Sequence, residues 1–298
     1  MQATAGRFEH AHGEIRFLPR FPLVPGTSYT LLLDGVEVAS TTVAPRSDTP
    51  RTRVTAIYPT AREVPLNLLK IYIQFSAPMA EDQVRDAVQV RRADDGRLLE
   101  SVFLLEPELW DAARTRLTLL LDPGRIKRGL APHSEMGYPL EEGVPVVVRV
   151  DDRLRDASGL HLLEGMERRY DVVDAVRRHV SPVAWRIQAP RADSFDPLRA
   201  EFDRPLDHAL LEHSLVVIDA RGRRVDGGAT IANREQSWSF TPYHSWPSAS
   251  FVLRVDPRLE DLAGNSLVRV FDRDLTRPED APLAPKWATV QFEPRRAG

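Results

Sequence analysis

The feature that most narrows the fold of this chain is an internal repeat. Phe75-Ser76-Ala77-Pro78-Met79 is matched by Phe202-Asp203-Arg204-Pro205-Leu206. At the same distance after each comes a short apolar run and an acidic turn: Val88-Gln89-Val90 into Asp94-Asp95-Gly96, and Leu215-Val216-Val217 into Asp219-Ala220-Arg221-Gly222. Further on, Val148-Arg149-Val150-Asp151 and Leu253-Arg254-Val255-Asp256 lead to Gly159 and Gly264 in one register, without a gap. Self-similarity over this length means copies of one structural unit. Residues 52–176 and 181–276 are expected to be two full copies, with linkers near 44–50 and 176–182 and a C-terminal tail at 277–298.

Each copy reads as strands. Lys70-Ile71-Tyr72-Ile73-Gln74-Phe75 and Phe251-Val252-Leu253-Arg254-Val255 alternate apolar and polar positions between turn residues, which is the pattern of half-buried β-strands. The 24 prolines are spread along the chain and discourage long helices. Only 80–87 and 207–213 are candidates for a turn or two of helix. The expected fold class is all-β, as tandem immunoglobulin-like (Ig-like) β-sandwiches.

Residues 1–48 read as the back half of a third copy. Ile15-Arg16-Phe17-Leu18-Pro19 followed by Tyr29-Thr30-Leu31-Leu32-Leu33 parallels Trp238-Ser239-Phe240-Thr241-Pro242 followed by Phe251-Val252-Leu253. The front half, with its Phe-Ser-Ala-Pro-Met-like segment, is missing. Such a unit is either truncated or has a sheet edge that something must cover. The first full copy is longer than the second, with an insertion placed at 108–138. Within it Arg116 to Leu121 reads as a strand ended by the turn Asp122-Pro123-Gly124. If that strand matches Trp238 to Pro242, the extra residues lie after Pro123.

Through these motifs, together with Asp261-Leu262-Ala263-Gly264-Asn265, the chain resembles the Ig-like domains of the SbsA type, found in bacterial surface-layer and other cell-envelope proteins. The resemblance covers about two thirds of the chain. It implies a seven-stranded sandwich in an extracytoplasmic, structural or adhesive setting, and supplies no catalytic residues. The insertion departs from the family pattern.

Composition removes several chemistries. There is no cysteine, so disulfides, thiolate metal sites and cysteine nucleophiles are excluded. The net charge of −3 and pI near 6.3 give no global basic field for nucleic acid or anionic lipid. The basic residues are scattered arginines, with lysine only at 70, 127 and 286. No apolar run reaches the length of a membrane span. The first residues have neither a basic nor an apolar signal region, so the chain is expected to be cytosolic or a form with its leader removed.

No G-x-S-x-G, Walker A, dinucleotide or H-E-x-x-H motif occurs. His10 and His12 share one face of a possible strand but lack a nominated third ligand. Asp151, Asp152 and Asp156, and likewise Asp256, Glu260 and Asp261, could bind calcium in acidic loops; turn capping explains them as well. His208 and His213 near Asp203 and Asp207 could do acid–base work, yet the matching stretch of the first copy has no histidine, and surface histidines are the simpler reading. Trp238 and Phe240 are expected to point inward together. Trp110, Tyr243 and Trp246 are the candidate partner-binding residues, the last two as a surface patch beside prolines. The function expected is a non-catalytic envelope protein, acting as spacer or as a module binding a protein or glycan. The alternative is an enzyme or accessory subunit with a site at the junction of the two sandwiches or in the 108–138 insertion.

Overall fold

A computed structural model describes residues 4–11, 14–44, 50–274, 277 and 280–296. His12 lies outside the described residues. Alternation sets the architecture: in strands such as Arg116–Leu121 and Phe251–Val255 every second side chain is buried, so each sheet has one apolar face to cover.

The first full unit contains β5 (Val54–Tyr58), β6 (Glu63–Pro65), β7 (Lys70–Phe75), α1 (Val84–Ala87), β8 (Val88–Arg92), β9 (Phe103–Trp110), β10 (Arg116–Leu121), α2 (Pro123–Ile126), α3 (Ala131–Met136), β11 (Val146–Val150) and β12 (Met166–Val173). They form two four-stranded sheets, β5-β7-β10-β9 and β6-β12-β11-β8. One core, including Ile73, Phe75, Leu119, Val148 and Tyr170, lies between them. The second unit contains β13 (Arg186–Gln188), β14 (Leu198–Glu201), α4 (His208–Leu211), β15 (Leu215–Asp219), β16 (Gly227–Ala232), β17 (Ser237–Pro242), β18 (Phe251–Val255) and β19 (Ala288–Phe292). Its sheets run β13-β14-β17-β16 and β15-β18-β19, around a core with Trp238, Phe240, Trp246 and Leu253. The architecture is all-β, Ig-like sandwiches in tandem.

The repeat is visible in atomic detail. Met79 bridges to Asp156 in the first unit and Leu206 to Asp261 in the second. Asp156 Oδ1 accepts from Ser158 N and Leu160 N, and Asp261 Oδ1 from Ala263 N and Asn265 N. These aspartates hold an acidic turn by capping its amides. Phe75 and Phe202 are buried anchors at the strand ends.

Two sequence expectations are corrected. The stretch from 277 is not only a tail: β19 pairs antiparallel with β18 along its whole length, Phe251 opposite Phe292 and Val255 opposite Ala288. It is the counterpart of β12, which pairs with β11 in the same way. And β9 and β10, partly inside the supposed insertion, are ordinary sheet strands with the same neighbours as β16 and β17. The added residues of the first unit are α2, α3 and their loops.

The N-terminal segment forms two hairpins, β1 (Gly6–Ala11) with β2 (Glu14–Pro19), and β3 (Ser28–Leu33) with β4 (Val36–Thr42). The second turns at Asp34-Gly35, both left-handed at φ 51° and 82°, the geometry of a tight hairpin turn that glycine favours.

Candidate functional site at the junction of the two sandwiches

Charge is concentrated where the two full units meet. Lys70, on β7 of the first unit, donates from Nζ to Glu260 Oε2 at 2.6 Å and to Asp207 Oδ2 at 3.3 Å in the second. Tyr72, two residues along the same face, donates its hydroxyl to Asp207 Oδ2 at 2.7 Å. Asp207 also caps α4 by accepting from Leu210 N. One carboxylate therefore ties a helix start to the neighbouring sheet.

A second lock lies at the tip of the β16–β17 hairpin. Asn233, Arg234 and Glu235 are all left-handed, with φ of 48°, 56° and 61°. Three successive non-glycine residues in that region cost backbone energy, and surrounding contacts must hold them. The holding contacts are at Glu235, whose buried carboxylate accepts from Thr60 N at 2.8 Å, Thr60 Oγ1 at 2.7 Å and Ala61 N at 3.2 Å. His208 stacks on Tyr58 with ring centroids 3.5 Å apart, and its Nδ1 is 3.5 Å from Glu235 Oε1.

The third lock uses the added segment of the first unit. Asp272, in the long β18–β19 connection, is fully buried. It accepts from Arg128 N at 3.0 Å, Arg128 Nε at 3.2 Å, Arg177 Nε at 2.8 Å and Tyr138 Oη at 2.7 Å. Apolar contact accompanies these bonds. Leu262 joins the first unit's core. Gly264, at φ +77°, sits so near Leu69 that an added Cβ would come within 2.3 Å of its Cδ2, so a side chain here would strain the backbone and push Leu69 aside.

The same docking occurs one unit earlier. The Asp156 turn of the first unit meets the N-terminal segment, where a Cβ on Gly159 would be 2.8 Å from Pro25 O. Each unit thus presses the turn after its acidic cap against the unit before it.

An open cleft of about 490 Å³ runs beside the junction, lined by Arg62, Asp171, Arg204, Arg234, Gln236 and Asp261 among others. Its charges mostly satisfy one another: Arg62 Nε meets Asp171 Oδ2 at 2.6 Å, and Arg204 Nε meets Asp261 Oδ2 at 2.8 Å. Among the described residues no three His, Asp or Glu side chains converge as metal ligands. In the acidic loops Asp151 and Asp256 pair with Arg153 and Arg258, and Asp156 and Asp261 cap backbone amides.

The nominated aromatic residues are not brought together. Trp246 is not a surface residue but is 1% exposed. Its indole donates to Asp196 O at 2.8 Å and packs edge-on against Phe251 and Phe292. The chain after β17 folds back over the end of the sandwich and carries Trp246 into it. Tyr243 stays 69% exposed. Trp110, on β9 of the other unit, is half-buried against Phe75 and donates to Glu108 Oε2; Glu108 in turn accepts from the amides of Asp82, Gln83 and Val84. Trp238 and Phe240 do point inward. His213 is exposed, but His208 belongs to the interface. Sequence reasoning missed Lys70, Tyr72, Glu235 and Asp272. Only the rarity of lysine in this chain singled out one of them.

The junction predicts alkaline sensitivity. The Tyr72 hydroxyl is pushed well above its ordinary 10.0 by burial and by the Asp207 carboxylate. Burial pulls Lys70 down, but Asp207 and Glu260 outweigh it and its net shift is upward from 10.5. Both groups hold their protons longer in the fold than in the unfolded chain. Their contribution is complete below the unfolded values and is lost as pH rises past about 10. Urea midpoints measured from about pH 8 to about pH 11 are expected to fall steeply at the top of that range, and Tyr72→Phe to flatten the fall. A flat profile in the parent protein would contradict the assignment.

No family model matches the chain, and no curated protein does. Among solved structures it is similar to the S-layer protein rSbsC(31-844), at 9% identity and a TM-score of 0.29, over 69% of this chain and 23% of that one. The chain thus spans under a quarter of that protein's length. The N-terminal four Ig domains of Dscam1 isoform 6.44 give 10% identity and a TM-score of 0.28, over 84% of this chain and 53% of that one. Native alpha-2-macroglobulin from Escherichia coli, spanning domains MG0-NIE-MG1, gives 10% and 0.27, over 82% and 90%. Similarities this slight carry no argument about activity or partners. No helix among the described residues is long and apolar enough to cross a membrane.

Proposed function

We propose that this chain is a non-catalytic Ig-like repeat protein of the SbsA-type, cell-envelope kind, working outside the cytoplasm as a stiff spacer that presents loops to a protein or glycan partner. The observation that carries this reading is the junction, where Lys70, Glu235 and Asp272 each bind across it with short, charge-assisted bonds. Interfaces between domains of one chain are by default mobile. Buried charged bonds fix orientation, because each tolerates little change in angle or distance before leaving a charge unpaired. A spacer needs that fixity. Tyr243, exposed at the far end of the second unit, is the aromatic residue offered to a partner.

The absence of cysteine makes the test clean. Spin labels on Arg97→Cys and Arg221→Cys, one exposed position on each unit, are expected to give a single narrow distance distribution. A broad or two-peaked distribution sinks the stiff-spacer reading.

A further inference from the structure

An open sheet edge ordinarily carries a device that keeps other strands away. The two full units differ in this respect. In the first, the edge strand β9 contains Pro107 and is bulged against β10. Glu108 ties it to the start of α1 through the amides of Gln83 and Val84, and Glu106 meets Arg85. The counterpart edge in the second unit is β16, Gly227-Gly228-Ala229-Thr230-Ile231-Ala232. It has no charge and no proline, and it pairs with β17 in one unbroken register. Among the described residues nothing pairs with its other side, and Gly228, Ala229 and Thr230 are exposed.

The register decides which groups that edge offers. Tyr243 N donates to Asp226 O, while on the far side of β17 Gln236 O accepts from Phe202 N. By antiparallel alternation, Gly228, Thr230 and Ala232 then bond to β17, and Gly227, Ala229 and Ile231 turn their N–H and C=O groups outward. Pro242, which has no N–H, stands opposite Gly227, as this phase requires. The outward set is symmetrical about Ala229. A second β16 laid antiparallel, Ala229 against Ala229, puts Gly227 opposite Ile231 and satisfies every outward group. A slip of one residue sets outward groups against groups already bonded, and a slip of two leaves some of them unmet. The side chains agree with this register. Residues 227, 229 and 231 share the face of Trp238 and Phe240, so both copies keep their core faces on one side. The bulky Ile231 of each copy then lies beside a glycine of the other.

Charge points to the same occupant. In this register Asp226 stands opposite Ala232 of the other copy and one diagonal step from its Arg234. Both residues are exposed, and neither has an ionic partner among the described residues of its own chain. A second copy supplies the missing partner at both ends of the pairing.

We propose that β16 is a dimerisation edge, through which two copies of this chain pair antiparallel about a two-fold axis at Ala229. Their four-stranded β13-β14-β17-β16 sheets then form one continuous sheet. Such an isologous contact uses up the edge of both copies and stops at the dimer. The proposal goes beyond the spacer reading and stands without it.

Sedimentation equilibrium and amide exchange on the full chain are the test. The chain is expected to dimerise with a dissociation constant on the order of 10 µM, as suits a small interface. Raising its concentration through that range is expected to slow exchange at Ala229 and Ile231 by about tenfold or more, and to change Thr230 and Ala232 much less. Ala229→Lys sets two ammonium groups face to face on the axis, and is expected to give a monomer that melts as the parent does. Asp226→Arg and Arg234→Asp are each expected to weaken the dimer by about tenfold. The double variant Asp226→Arg/Arg234→Asp is expected to restore it, a rescue that a merely structural role for either residue would not produce. Three results overturn the proposal. One is a chain that stays monomeric at about 1 mM. Another is a dimer that survives Ala229→Lys or ignores the charge swap. The third is exchange at Ala229 and Ile231 that does not respond to concentration.

Discussion

Asp272→Ala is expected to destabilise the protein by roughly 3 kcal/mol and to split its melting into two transitions. Asp272 is buried, and its four bonds come from Arg128, Arg177 and Tyr138. Alanine leaves two guanidinium groups and a phenol without the acceptor they share, and removing one partner from a buried charged group costs more than the net value of the pair. The arginines remain about a third exposed, so water recovers part of the loss and the figure lies at the low end of the range for buried pairs. Asp272→Asn keeps the shape and is expected to lose less. The location is as diagnostic as the size, because these bonds join the units and belong to neither core. Differential scanning calorimetry is the measurement. A single transition within a degree or two of the parent's would show that the cradle does not couple the units.

Trp246→Ala is expected to cost roughly 3–5 kcal/mol, all of it in the second unit. The indole is among the largest fully buried side chains, and it packs edge-on against the stacked pair Phe251 and Phe292. Those two residues lie opposite each other on β18 and β19, so the cavity would open at the seam where the last strand joins. Asp196 O would also lose its donor. Trp246→Phe, which keeps most of the volume but not the N–H, separates the two contributions. Denaturant unfolding followed by hydrogen exchange should show β18 and β19 losing protection while β7 and β10 keep theirs. A variant of near-parental stability would mean that Trp246 is more accessible than its packing indicates.

How far these features were legible in the sequence depended on whether a residue had a periodic partner. Strand alternation and the repeated Phe-x-x-Pro segments carry their signal twice, and the structure confirms them through Met79, Leu206, Asp156 and Asp261. β19 alternates as well, Ala288-Thr289-Val290-Gln291-Phe292, but it follows a long connection without a repeat anchor, and so it read as a tail. Trp246 stands among serines and prolines, a context that suggests exposure. Its burial follows from a chain reversal over the end of the sandwich, a tertiary event with no local sign. Glu235 and Asp272 are harder still. A lone carboxylate in a turn looks the same in sequence whether it faces water or a neighbouring domain. Only the fold brings Thr60 or Arg128 to it.

The route of the chain between β18 and β19 has a mechanical consequence. The connection leaves the second sandwich, anchors Asp272 in the first, and returns to lay β19 along β18. Tension applied at the C-terminal end meets the bonds of Arg295 to Ala189, Pro190 and Ala192 first and then β19, and peeling that strand pulls directly on the clasp between the two bodies. Under load the array gives way from its last residues inward, with the joint yielding after β19.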